Sequence, residues 1–152
     1  MAIRLENRIP PPIVAVGFAA GMLGVAWVAP ALTFPLPSML ALPVGAAGLL
    51  LDGIALFHFL RRRTTINPLK PQSASALVTG GIYRLSRNPM YLGLASLLLA
   101  WAIYLGNLAA LAGLPCFILY MNRFQIGPEE RALQARFGAG YLAYRMRVRR
   151  WL

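Results

Sequence analysis

Long apolar runs, separated by short basic punctuation, dominate the chain. Residues 13–31 contain no charged side chain, and residues 39–60 carry only Asp52 and His58 before Arg61, Arg62 and Arg63. Two shorter uncharged runs, 90–105 and 108–121, are joined by Gly106-Asn107, a dipeptide suited to a tight helical hairpin turn. A membrane-crossing helix needs roughly 20 apolar residues, with a usable range of about 17 to 25. The first two runs meet that length, and the shorter pair can span by thinning the bilayer or extending through flanking polar residues. Pro10, Pro11 and Pro12 mark the start of the first run, because proline opens a helix but is not tolerated in its interior. In the tail, Leu133, Phe137, Tyr141, Tyr144, Val148 and Trp151 recur at spacings of three and four, the stripe of an amphipathic helix, and its other side is rich in arginine. The pattern predicts a single all-α integral membrane domain over 1–152. It has about four transmembrane helices, a loop over 61–89 and a tail over 122–152 lying on the membrane surface.

Composition agrees. The apolar class makes up 59% of the chain, charged residues 12%, and the mean hydropathy is +0.61, whereas soluble domains carry about 25% charged residues. A soluble globular enzyme is not expected. Fifteen Lys and Arg against four Asp and Glu give a net charge of +11, which alone would point to nucleic acid. The basic residues form no continuous stripe, so nucleic acid is not the expected partner.

Their placement instead orients the spans. Arg4 and Arg8 precede the first; Arg61, Arg62, Arg63, Lys70, Arg84 and Arg87 lie between the second and third; Arg123 and six further arginines follow the fourth. The loops at 32–37 and 106–107 carry none. By the positive-inside rule both termini, the 61–89 loop and the tail are cytoplasmic, and usable chemistry concentrates on that face. The first run resembles a signal peptide in its basic flank, but its ~19-residue length and lack of a small-residue cleavage site make it an uncleaved span.

Within the first two spans the residues read mainly as packing. Gly17 and Gly21, continued by Ala20 and Gly24, and Gly45 with Gly48 are expected to bring helices close. Asp52 stands apart. It lies eight residues before Leu60, hence ~12 Å deep, where insertion of a carboxylate costs on the order of 2.5–3.5 kcal/mol, so it should face protein or a watery cavity. His58 is expected to snorkel toward the headgroups. One histidine and one cysteine cannot build a His-rich or cysteine-based metal site, and Cys116, inside an apolar run, reads as a small buried residue.

Two cytoplasmic segments carry polar groups beyond what a membrane edge requires. The first runs Leu77-Val78-Thr79-Gly80-Gly81-Ile82-Tyr83-Arg84-Leu85-Ser86-Arg87-Asn88-Pro89-Met90-Tyr91-Leu92-Gly93. Gly80-Gly81 permits a turn with φ > 0, and Asn88-Pro89 places an N-cap and a first-turn proline at the start of the third span. Free N–H groups there suit a ligand carboxylate or phosphate. The second segment begins at Arg123 and contains Pro128-Glu129-Glu130. Acids in a first helical turn gain ~0.3–1 kcal/mol from the helix dipole. Neither acid has a basic residue three or four positions onward, so local ion pairs do not account for them.

These two segments, in this order after paired spans, resemble the membrane isoprenylcysteine carboxyl methyltransferases and the related phospholipid N-methyltransferases. The resemblance rests on Leu77 to Arg84 before Arg87-Asn88-Pro89-Met90-Tyr91-Leu92-Gly93, then Glu129-Glu130, Leu133, Phe137-Gly138, Tyr141 and Tyr144, and it covers roughly 64–150. It implies an S-adenosylmethionine-dependent methyltransferase with Ser75, Ala76, Leu77, Val78, Tyr83, Asn88, Pro89, Met90, Tyr91, Gly93 and Glu129 around the cofactor. It further implies that Arg123 holds the acceptor, a lipophilic small molecule reached from the membrane lipid. An amine acceptor must arrive neutral or lose its proton to Glu130, a tyrosine or water, whereas a carboxylate needs no base.

The sequence departs from the family pattern twice. Asn88 stands where the family has histidine, which removes any histidine base at that position, and Gly81 stands where it has proline. No Gly-x-Gly-x-x-Gly follows a strand, so a soluble dinucleotide-type fold is not expected. Isoprenylcysteine-like carboxylates, lipid amines and small thiols remain open as acceptors. A reductase using NADPH, related to sterol reductases, and a non-catalytic membrane subunit are the competing classes.

Overall fold

The computed structural model describes residues 6–61 and 76–152, so the expectations for Ser75, Lys70, Arg62, Arg63 and Arg4 lie outside the described residues. Helix α1 (Pro11–Val28) opens on two prolines, whose missing N–H groups cost nothing in a first turn. A 3-10 turn at Ser38–Leu40 leads into α2 (Ala41–Arg61). A second 3-10 turn, Gly81–Arg84, precedes α3 (Pro89–Leu105), and then come α4 (Leu108–Leu111) and α5 (Gly113–Met121). A π-turn, Asn122–Ile126, carries the chain into α6 (Gly127–Phe137), followed by α7 (Ala139–Arg147). The described residues form an all-helical structure whose one extended contact is an isolated bridge between Thr33 and Asn107.

Two helices are long and apolar enough to cross a membrane, α1 and the run Ser38–Arg61. Neither is covered by the rest of the protein: Trp27 is 87% exposed and Leu42 76%. Such surfaces are stable against lipid and costly against water. The fourth apolar run is not one helix. Pro115 has no N–H to return to the carbonyl of Leu111, and the helix breaks at Ala112 between α4 and α5.

Helix α3 is the central element, packed by α1, α2, α4 and α5. Its Tyr91, Ala95, Leu98 and Ala102 form one core with Met22 of α1 and Phe117 and Met121 of α5. Trp101 Nε1 donates to the Ala19 carbonyl at 3.0 Å, tying α3 to α1.

The glycine expectations divide. A Cβ on Gly17, Gly21 or Gly24 would meet nothing within 4 Å, so that ridge is not where α1 packs; Val14, Ala15 and Met22 are buried instead. Gly48 does mark a close approach, since its Cβ would lie 2.9 Å from the Gly93 carbonyl oxygen. Gly48→Ala is therefore expected to cost about 1–3 kcal/mol by forcing α2 off α3, while Gly21→Ala changes little; thermal unfolding in detergent separates the two. Cys116 is exposed rather than buried, because Phe117 and Met121 are the positions that α5 turns to the core.

The hairpin at Gly106-Asn107 forms as the dipeptide predicts, with Gly106 at φ +58 and Asn107 Oδ1 accepting from Ala110 N at 2.9 Å. Phe34 N donates to the Gly106 carbonyl, and Leu108 N to the Leu32 carbonyl at 2.7 Å, so the two charge-free loops meet at one end of the bundle. At the other end, Asn7 N donates to the Phe124 carbonyl and Arg87 N to the Arg149 carbonyl, each at 3.0 Å. The amphipathic tail is not a single helix. Gly138, at φ +50, breaks it between α6 and α7, and Val148 is extended, yet Tyr141 and Tyr144 of the expected stripe are buried.

Candidate functional site

The stretch before α3 is shaped by one glycine and one hydroxyl. Gly81 takes φ +59, and a Cβ there would run into the His58 ring, so the glycine lets the turn close over α2. His58 consequently does not snorkel; it sits half-buried, edge-on to Tyr83, with ring centroids 6.5 Å apart. Ser86 Oγ accepts from Asn88 N at 3.1 Å. Asn88 occupies the N-cap position of α3, but its side chain makes no capping bond. Nδ2 donates instead to the Arg150 carbonyl at 2.9 Å, satisfying a partly buried acceptor on the docked tail.

Between α2, α3, α6, α7 and residues 76–78 lies a cavity of about 470 Å³. It brings together Ala76, Leu77, Val78, Tyr83, Asn88, Pro89, Met90, Tyr91, Glu129 and Glu130, ten of the residues singled out from sequence. Two more lie elsewhere. Gly93 is buried in the α2–α3 contact, where its missing side chain leaves room for the Asp52 carboxylate. Arg123 faces outward with its side chain 66% exposed, 3.3 Å from Glu6, which also pairs with Arg131 at 2.8 Å.

The two adjacent acids are used differently. Glu129 accepts a hydrogen bond from the Tyr91 hydroxyl. Burial pushes its carboxyl from an ordinary 4.5 up to about 8; the Tyr91 bond pulls the other way, and the charge of Glu130 raises it further. Glu130 has both oxygens occupied. Oε1 lies 3.0 Å from Arg87 Nη1 and accepts from Arg150 Nε at 3.1 Å, while Oε2 accepts from Arg150 Nη2 at 2.7 Å. That arrangement suits anchoring two guanidiniums rather than taking a substrate proton.

Three groups on the cavity wall went unassigned from sequence. Arg87, part of the motif there but given no ligand role, donates to the Tyr141 hydroxyl at 3.3 Å, and its Nε is buried without a hydrogen-bond partner. Its role leaves no local pattern, because the partners that fix it, Glu130 and Tyr141, lie on α6 and α7. Tyr144 closes the same wall by donating to the Tyr83 carbonyl at 2.7 Å. Burial lifts the Tyr83 phenol far above its ordinary range, with Tyr144, Glu129 and Asp52 adding to the effect. Burial likewise lifts Tyr144, against the pull of Arg87. Both phenols therefore stay O–H donors at neutral pH. Asp52, singled out for its depth, also lines the cavity.

The wall thus offers an acceptor (Glu129), a cation (Arg87), phenols and flat apolar surface. That set fits a small zwitterionic ligand with an aromatic portion. Among the described residues no group of three or more His, Cys, Asp or Glu is placed to hold a metal.

A family model described as phospholipid methyltransferase matches residues 40–140. An uncharacterized protein of Haemophilus influenzae is 51% identical over 63 residues, which are 41% of this chain and 100% of that protein. No solved structure matches the chain.

Proposed function

The chain belongs to the phospholipid methyltransferase family, a family of membrane methyltransferases, and from that premise we propose that it transfers a methyl group from S-adenosylmethionine to a lipophilic acceptor. The acceptor is an isoprenylcysteine-like carboxylate or a lipid amine that reaches the cavity sideways from the cytoplasmic leaflet. One observation carries the reading: the segment before α3 and the start of α6, far apart in sequence, line a single cavity in which Glu129, Tyr91 and Arg87 converge.

S-adenosylmethionine supplies an activated methyl on a cationic sulfur, so the protein needs neither a metal nor a covalent intermediate. Its task is positioning, which holds reacting atoms ~3–3.5 Å apart and in line. Glu129 fits the cofactor's ammonium or ribose hydroxyls, the Arg87 guanidinium its carboxylate, and Tyr83 and Tyr144 its flat base. Arg123, exposed and paired with Glu6, is given no acceptor-holding role in this scheme.

Calorimetry on the purified protein tests the cofactor, and labelled methyl transfer on native membranes tests the reaction. Binding with label in the lipid fraction supports the proposal. Label confined to a soluble thiol would move the chain to small-thiol methylation. NADPH-dependent reduction would make it a reductase, and absence of both binding and activity a non-catalytic subunit.

For topology we propose four crossings with both termini, the cavity and the tail on the cytoplasmic face. This is supported by the meeting of the uncharged 32–34 and 106–108 segments at the end opposite the arginines. In a Cys116→Ser background, a cysteine placed at Pro35 should be labelled by an impermeant reagent from outside. Labelling only after permeabilisation would reverse the orientation.

A further inference from the structure

Asp52 is the acid that the cofactor scheme leaves unused. The other acids have partners: Glu6 has Arg123 and Arg131, Glu130 has Arg87 and Arg150, and Glu129 has the Tyr91 hydroxyl. Asp52 makes no ion pair among the described residues, and its Oδ1 is buried without a hydrogen-bond partner. Yet it lies on α2, one of the two helices long enough to span, where a carboxylate is costly to bury.

The fold makes room for it. A Cβ at Gly93 would collide with the Asp52 carboxylate, and Gly48, one turn before Asp52, lets α3 approach closely enough to wall it in. Asp52, Gly53, Leu56 and Phe59 line the cavity from α2, as Glu129 lines it from α6. That side is otherwise apolar and continuous with the lipid-facing surface, since Leu56 and Phe57 are exposed. A lone carboxylate at the membrane side of a cavity is matched by a cationic group arriving from the membrane.

We propose that Asp52 holds the amine of the lipophilic acceptor and takes the proton that this nitrogen must lose before it can accept a methyl group. The proposal rests on the methyltransferase reading above and narrows its acceptor from two classes to one. An amine reaches the cavity as an ammonium, with no lone pair, and pairs with the Asp52 carboxylate. One N–H proton passes to a carboxylate oxygen. The freed nitrogen then forms its bond to the methyl carbon as the S–C bond breaks, the electron pair of that bond staying on sulfur. The product leaves as an N-methylammonium, and the proton on Asp52 returns to water through the cavity mouth. A carboxylate acceptor needs no base and would be repelled by Asp52, so this side chain would be a liability in an ester-forming enzyme.

The test pairs product chemistry with Asp52→Asn. Native membranes containing the wild-type protein are given methyl-labelled donor, and the labelled lipid is treated with base and then hydrolysed in acid. The expected result is label that survives base and is retained on a cation-exchange resin as an amine. Base-labile label, released as methanol, would mean an ester and overturn the proposal while leaving the methyltransferase reading intact; base-stable label not retained would mean a thioether and do the same. In purified Asp52→Asn, S-adenosylmethionine affinity should stay within about twofold, about 0.4 kcal/mol. The melting temperature should be no lower than wild type, because a neutral amide is easier to bury. Transfer to vesicles of phosphatidylethanolamine in phosphatidylglycerol should fall at least a hundredfold. Retained transfer, or a tenfold loss of cofactor affinity without a loss of thermal stability, would remove Asp52 from the acceptor side. Wild-type protein that binds no S-adenosylmethionine would fail the broader reading, and this one with it.

Discussion

Glu130→Ala lowers the melting temperature of the purified protein by about 10 °C. The carboxylate is the shared partner of Arg87 and Arg150, and its side chain and that of Arg87 are only 10% and 9% exposed. Removing one member of a buried pair leaves an uncompensated charge and costs ~3–5 kcal/mol. Arg150, at 35% exposed, can turn to water, which places the expected cost near the lower end, about 3 kcal/mol. At roughly 2–4 °C per kcal/mol for a chain of this length, that gives the stated shift. Arg87→Met combined with Glu130→Leu should recover most of the stability while leaving cofactor binding lost, since apolar replacement of a whole pair is often neutral. A drop of less than about 3 °C on Glu130→Ala would show that the bridge does not hold the site together.

Glu129→Ala is expected to weaken S-adenosylmethionine at least tenfold, about 1.4 kcal/mol, and pH gives this prediction a sign. With the carboxyl at about 8 in the folded protein, the ionised form that holds the ligand is scarce at pH 6. Affinity should therefore rise roughly tenfold per pH unit up to about 8 and then level off. Stability of the ligand-free protein runs the other way. A carboxyl raised from 4.5 to about 8 by folding contributes stability that is fully present below pH 4.5 and is lost as pH rises through about 8. Glu129→Gln should flatten both profiles. An unchanged slope of affinity against pH in that variant, measured by calorimetry, would assign the titration to another group.

Features carried by local chemistry were legible in the sequence. Uncharged runs located α1, α2 and α3, Gly106-Asn107 located the hairpin, and ten residues singled out in or beside the two polar segments line one cavity, Gly93 and Arg123 excepted. Features decided by distant partners were not. Arg87 is fixed by Glu130, forty-three positions on, and Asn88 gives its amide to a carbonyl sixty-two positions on, so neither role leaves a trace in local spacing. The three- and four-residue rhythm from Leu133 to Trp151 hid the break at Gly138, because a stripe of side chains persists when a helix is interrupted and resumed. Gly17 and Gly21 have the spacing of a packing motif but face open space, since such spacing does not specify which surface a neighbour covers.

The π-turn at Asn122–Ile126 joins α5 to α6 without a loop, and Gln125 within it is fully buried, its Nε2 donating to the Ile9 carbonyl at 2.7 Å. Glu129 is thus mounted on a continuous helical extension of α5. Residues 108–121 extend only ~21 Å at 1.5 Å per residue, against a hydrocarbon slab of ~30 Å. In the four-crossing topology so short a leg is matched by local thinning of the bilayer rather than by tilt, which draws the membrane surface toward the carboxylate. Under that topology methyl transfer is expected to slow as acyl chains lengthen, the bilayer then acting as a mechanical gauge on the site as well as its solvent.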